Sequence, residues 1–242
     1  YYMGNLDGTS LISQAIDSLS ALGVVFVASA GNNGDANFHL LYDASLSDTL
    51  KTQVKIDSYS YYPQMFGQCL TLWGTPGNSF EARIQVLSST GTLLSETPFY
   101  LTDTLDSYVD DTLFAGADTV LYNVLADSAN AMNHRPFMQI RVASRNSNNK
   151  VILQIHADTG IVHAWNLIEL DNGVGNWGSD FEAPYAGYTA GDPYYGIGEP
   201  ACAHSAIAVA AHNSEYHHPT NGTLLGGNMA YFSSYGPLID GT

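Results

Sequence analysis

Leu11, Ile12, Ala15, Ile16, Leu19 and Leu22 recur at helical spacing, with Thr9 or Ser10 placed to cap the start and Gly23 to stop the end. Directly behind them, Val24-Val25-Phe26-Val27-Ala28-Ser29 is a continuous apolar run, the pattern of a strand buried on both faces of an α/β sheet. It runs into Ala30-Gly31-Asn32-Asn33-Gly34, a tight polar turn at the strand's carboxyl end. Ligand sites of open α/β sheets gather at that edge.

From about residue 40 to about 170 the helical period disappears. Alternating or apolar runs recur at Thr52–Ile56, Gln68–Trp73, Ala82–Leu87, Thr119–Leu125, Phe137–Val142, Val151–His156 and Ile161–Ile168. Turn signals separate them, among them Thr75-Pro76-Gly77-Asn78, Ser89-Thr90-Gly91 and Arg145-Asn146-Ser147-Asn148-Asn149. Seven or eight short strands without a helix between them predict a β-sandwich of jelly-roll type. Residues 171–190, rich in Gly, Asn, Asp and Tyr, predict a loop. After it α/β texture resumes: Ala206–Ala211 reads as another buried strand, and Met229–Ser234 as a strand running into the Gly236-Pro237 turn.

Composition narrows the function. The 242 residues carry 7 Lys and Arg against 23 Asp and Glu, a formal charge of −16. A protein that binds a nucleic-acid backbone needs a basic stripe to release counterions, and one that docks on anionic lipid needs the same sign. Neither partner is expected. Charged residues are 12% of the chain, about half of the ~25% usual in globular domains, so Ser, Thr, Asn and the 16 Tyr carry the surface. This balance suits a secreted or cell-surface protein. Cys69 and Cys202 make no Cys-x-x-Cys pair, which excludes a disulfide framework and a thiolate zinc site. No apolar run is long enough to span a bilayer. No metal or other cofactor is expected.

Three stretches together resemble the subtilisin-like serine peptidases, the subtilases: DGTSLISQAIDSLSALGVVFVASAGNNGD, IGEPACAHSAIAVAAHN and MAYFSSYGPLIDG. The first is similar to the family's helix, strand and turn carrying the oxyanion-hole asparagine. The second is similar to the strand beside the primary specificity pocket, and the third to the segment preceding the catalytic serine. Together they cover 59 residues. A jelly roll inserted at this point resembles the spore-germination, Csp-like branch of that family. The resemblance implies a nucleophilic Ser, a His base, an orienting Asp and an oxyanion donor. It places Asn32 as the donor, Ala28, Ser29, Ala30 and Gly31 along the primary pocket, and Gly4 and Pro200 as the other walls of a groove for a peptide or protein substrate.

Other matches are weaker. Gly8-Thr9-Ser10 copies the family's nucleophile box but precedes the oxyanion strand and is followed by Leu11-Ile12, so Thr9 and Ser10 read as capping residues. Asp158-Thr159-Gly160 copies the catalytic Asp box but falls inside the sandwich, where a turn between strands accounts for it. A pepsin-like site would need two such carboxylates, and only one exists. None of the eight histidines is followed by the Gly of the family's His box, and His217-His218, being adjacent, are poorly placed to share a metal ion.

The expectation is therefore an internal fragment of a secreted, bacterial-type serine endopeptidase, inactive alone, with its triad before Tyr1 and beyond Thr242. The expected fold class is a partial, parallel-sheet, subtilisin-like α/β core interrupted by an all-β jelly-roll sandwich. Its segments are 1–38 and 171–242 for the core and 39–170 for the insert. The alternative is a non-catalytic binding module, with a glycan or protein held on exposed Tyr or Trp of one sandwich face and the flanking pieces serving as a pseudoprotease scaffold.

Overall fold

The structure, a computed structural model, describes residues 4–56, 66–104, 108–144, 148–167, 179–214, 216–217 and 224–242. Two compact units emerge: Tyr1–Ala36 with Pro193–Thr242, and Asn37–Asp192.

In the first unit, helix α1 (Leu11–Ser20) begins at Ser10, whose hydroxyl accepts the Ser13 N–H at 3.1 Å. That satisfies one of the donors a helix start leaves open. The helix closes just before Gly23, which adopts the left-handed φ of 92° that glycine takes without strain. Strand β1 (Phe26–Ser29) follows.

Among its described residues the second unit holds twelve strands: β2 (His39–Asp43), β3 (Thr49–Val54), β4 (Gly67–Gly74), β5 (Glu81–Leu87), β6 (Leu93–Glu96), β7 (Tyr100–Leu101), β8 (Val109–Ala115), β9 (Asp118–Asp127), β10 (Phe137–Ser144), β11 (Lys150–His156), β12 (Ile161–Leu167) and β13 (Phe181–Glu182). They form two antiparallel sheets, ordered β2-β12-β4-β10-β9-β8 and β13-β3-β11-β5-β6, with β7 also paired to β5. Both inner faces feed one core, including Leu40, Leu70, Leu72 and Ile140 from one sheet and Leu50, Ile84, Val151 and Leu153 from the other. Truncating such a side chain to Ala typically costs about 2–5 kcal/mol. Back in the first unit, β14 (Ala206–Val209) pairs parallel with β1, and β15 (Tyr216–His217) pairs antiparallel with β16 (Leu224–Leu225).

The expected fold class is corrected by this architecture. The described residues are dominated by antiparallel strands, with one ten-residue helix and one parallel pair, β1 and β14, of four residues each. Among the described residues there is no parallel-sheet α/β core. Val24–Ser29 and Ala206–Ala211 were expected to be buried strands, yet Val25 is 73% exposed, Val27 64% and Ile207 54%. An apolar run records affinity for burial; it does not record how many strands are present to provide it. A parallel sheet buried on both faces needs further strands and covering helices. The apolar stripe of α1 departs in the same way: Ser13 and Ile16 are buried, while Leu11, Ile12, Leu19 and Leu22 are exposed. In the first sheet β8, β9 and β10 are consecutive in both chain and sheet and form a meander at its edge. Among the described residues, no helix is long and apolar enough to cross a membrane.

Candidate functional site

The turn that leaves β1 is fixed from two directions. Ala30 N–H donates to the Val209 carbonyl (2.9 Å), which carries the β1–β14 pairing one residue further. The chain then bends at Gly31, φ 114°. On the other side of the turn, Ser234 N–H donates to the Gly31 carbonyl (3.1 Å), Asn33 N–H to Ser234 Oγ (3.1 Å) and Gly34 N–H to the Phe232 carbonyl (2.8 Å). Gly34 packs so tightly on the Ser233 carbonyl that no side chain fits there.

The neighbours of Asn32 on both sides are held, and Asn32 itself stands exposed between them. A carboxamide on a fixed turn can donate to an oxygen that gains negative charge with little reorganisation of its support.

The remaining residues of the expected groove fall in two places. Ala28 and Gly31 are half-buried, Ser29 is exposed and Ala30 is buried, all on β1 or its turn. Gly4 lies elsewhere in the unit, where an added Cβ would come within 2.7 Å of Glu199 Oε1. Glu199 is buried and immediately precedes the exposed Pro200. The structure therefore joins Gly4 to the Glu199–Pro200 segment and Asn32 to the Phe232–Ser234 segment.

Around Glu199 lie side chains that sequence reasoning missed. Ser13 Oγ donates to Glu199 Oε2 at 3.1 Å and lies 3.9 Å from Cys202 Sγ. Burial, reinforced by the Glu199 charge, pushes the Cys202 thiol up to about 12, so it is no thiolate nucleophile. His204 stands between two carboxylates, Nδ1 3.6 Å from Asp17 and Nε2 3.5 Å from Asp240. Burial works to raise the Asp240 carboxyl, but hydrogen bonds from the Thr242 hydroxyl and N–H, together with His204, hold it below the usual range. Glu199, Cys202 and His204 lie together in the second matched stretch, but nothing in the sequence pairs His204 with Asp17 or Asp240.

The decoy motifs resolve into local structure. Ser10 is the helix cap. Asp158-Thr159-Gly160 is the turn between β11 and β12, with the Asp158 side chain 98% exposed and Gly160 at φ 88°. His217 lies on β15, and His218 falls outside the described residues. Cys69 and Cys202 are free and buried. Among the described residues, no group of three or more His, Cys, Asp or Glu is placed to hold a metal ion. Of the tryptophans described, Trp73 and Trp165 are both buried; Tyr108 and Phe114 are exposed aromatics of the sandwich.

No family model and no curated protein sequence matches this chain. A solved structure does: that of the CspB protease from Clostridium perfringens, which matches all of this chain with a TM-score of 0.65 at 17% identity. The chain spans 44% of that protein's length. At this identity the likeness is one of fold. The fold of this chain is thus found within a protease.

Proposed function

We propose that this chain is the oxyanion and pocket portion of a secreted, subtilisin-like serine endopeptidase. In this reading it is inactive by itself, and the triad is supplied by other parts of a longer polypeptide. The observation that carries the reading is the Asn32 turn: an exposed asparagine on a backbone fixed at Ala30, Gly31, Asn33 and Gly34. Asn32 donates to the oxyanion of the tetrahedral intermediate formed when serine attacks a peptide carbonyl. Ala28, Ser29, Ala30 and Gly31 give the substrate's side chain a pocket of small residues, and Gly4 and Pro200 flank the substrate backbone.

Two further observations support a protease parent. The whole chain takes a fold found in 44% of a protease. The first unit also leaves Leu11, Leu22, Val25, Val27 and Ile207 exposed, an apolar surface suited to cover by further polypeptide.

The experiment is a comparison of two preparations. The 242-residue chain is assayed with peptide esters and a fluorophosphonate probe, beside a longer polypeptide from the same gene. The reading expects turnover and serine labelling in the longer protein only. Turnover by the short chain that disappears in Ser10→Ala would overturn it.

A further inference from the structure

His39 and Asp192 are joined twice. Their backbones exchange both hydrogen bonds of an antiparallel bridge, His39 N–H to the Asp192 carbonyl (3.1 Å) and Asp192 N–H to the His39 carbonyl (2.8 Å). Their side chains meet as well, His39 Nδ1 lying 2.9 Å from Asp192 Oδ1. These residues stand at the two ends of the β unit, which runs from Asn37 to Asp192. The contact continues inward: His39 Nε2 lies 3.0 Å from His163 Nδ1 on β12. Trp165 packs on both rings, with centroids 5.0 Å from His39 and 5.7 Å from His163. His39 is fully buried and His163 is 6% exposed.

We propose that the chain Asp192–His39–His163 is an acid-sensitive latch that ties the two ends of the β unit together while both imidazoles are neutral and opens when protons are forced on them. The Asp192 carboxylate accepts from His39 Nδ1–H, which leaves His39 Nε2 as a bare acceptor. His163 Nδ1 must then carry the hydrogen. One proton thus occupies the contact between the rings. Protonating His39 obliges His163 to change tautomer, and protonating both sets N–H against N–H at 3.0 Å with two buried positive charges.

The surroundings fix the direction. Among the described residues, the charged groups near the pair are Asp192, on the outgoing segment, and Arg135, on the β9–β10 connection; β4 presents Trp73 opposite His163. Burial is the largest influence on both rings. It outweighs the attraction of Asp192 and holds His39 below its ordinary value. On His163, burial, His39 and Arg135 act together and hold the ring at about 3. Once opened, each imidazole returns to a value of about 6.5. The open form therefore binds more protons than the closed one as pH falls below about 6.5, and acid drives opening.

The opening is local. The outgoing segment is joined by single bonds, Thr189 N–H to the Lys51 carbonyl (2.8 Å), Gly191 N–H to the Phe181 carbonyl (2.9 Å) and the isolated His39–Asp192 bridge, whereas β3, β5 and β11 are held by continuous ladders. The outgoing segment should release while the core stays intact.

Amide hydrogen exchange on the 242-residue chain tests this, with rates corrected for intrinsic pH dependence. Between pH 7.5 and 5.0, exchange at the His39 and Asp192 amides should accelerate at least about tenfold and remain far faster than at Leu153 in β11, which exchanges only through global unfolding. In His163→Gln, which keeps an N–H donor for His39 Nε2 but takes no charge there, the acceleration should shrink to less than about threefold. Equal protection at both pH values in the wild type, or undiminished acceleration in the variant, would overturn the latch. If the variant does not fold, imidazole 15N shifts of the wild type decide. Both rings neutral at pH 7.5, each with its hydrogen on Nδ1, supports the latch; a charged ring there refutes it.

Discussion

The backbone N–H of Asn33 donates to the Ser234 hydroxyl at 3.1 Å, although the two residues are 201 positions apart in the chain. That bond, with the one from Ser234 N–H to Gly31, makes the position of Asn32 depend on a segment at the far end of the sequence.

Removing the hydroxyl should loosen the turn. Ser234→Ala leaves the Asn33 N–H without its acceptor and should destabilise the chain by about 1–2 kcal/mol. Gly34→Ala drives a methyl group into the Ser233 carbonyl and should cost about 3 kcal/mol or more. Asn32→Ala, at an exposed position, should stay within about 0.5 kcal/mol of wild type. Urea denaturation of the three variants checks the order.

Ser10→Ala should cost about 1 kcal/mol, the usual loss of a hydroxyl helix cap. Thermal unfolding followed by circular dichroism reads it. An unaltered midpoint would mean that the Ser10–Ser13 bond contributes nothing to α1.

The cysteines should be silent in the folded protein. With Cys202 buried and its thiol pushed up to about 12, a thiol reagent at pH 8 should label it only after denaturation. Cys69, equally buried, should behave the same way. Stoichiometric labelling of Cys202 in the native chain would contradict the packing around Ser13 and Glu199.

Much of the sandwich is legible in the sequence, and the reason is local. Ala82–Leu87, Phe137–Val142 and Val151–His156 are apolar enough on their inner faces to read as strands, and each forms one. β8 escapes that reading because Asp110 and Asp111 interrupt it; the strand exists through its seven-residue register with β9. α1 and its Ser10 cap are equally local. What cannot be read is how many neighbours a segment has. Val24–Ser29 looks like an interior strand, but among the described residues its strand, β1, has one partner, and Val25 and Val27 stand exposed. The Asn32 turn is visible as a Gly-Asn cluster, while its fixing by Phe232–Ser234 is not. His39, His163 and Asp192 lie 124 and 153 positions apart in their pairs, so no spacing rule could gather them.

Stability should follow the histidines of the β unit. His163 sits at about 3 when folded and near 6.5 when unfolded, so the unfolded chain takes its proton first as pH drops. The contribution is complete above about pH 6.5 and declines as pH falls from there toward 3. Urea midpoints at pH 7.5, 6.0 and 5.0 should fall in that order, and less steeply in His163→Gln. A midpoint that rises on acidification would reverse the sign and contradict the neutral, buried state of His163.

The central claim concerns the proposed role of Asn32, and one measurement reaches it most directly: steady-state kinetics of Asn32→Ala in a longer polypeptide from the same gene that shows peptidase turnover. Acting mainly on the transition state, the carboxamide should be worth about 100–1,000-fold in kcat with little change in KM, a magnitude taken from removal of such a donor in a subtilisin. An unchanged kcat would reduce Asn32 to a turn residue and remove the basis for the proposed role.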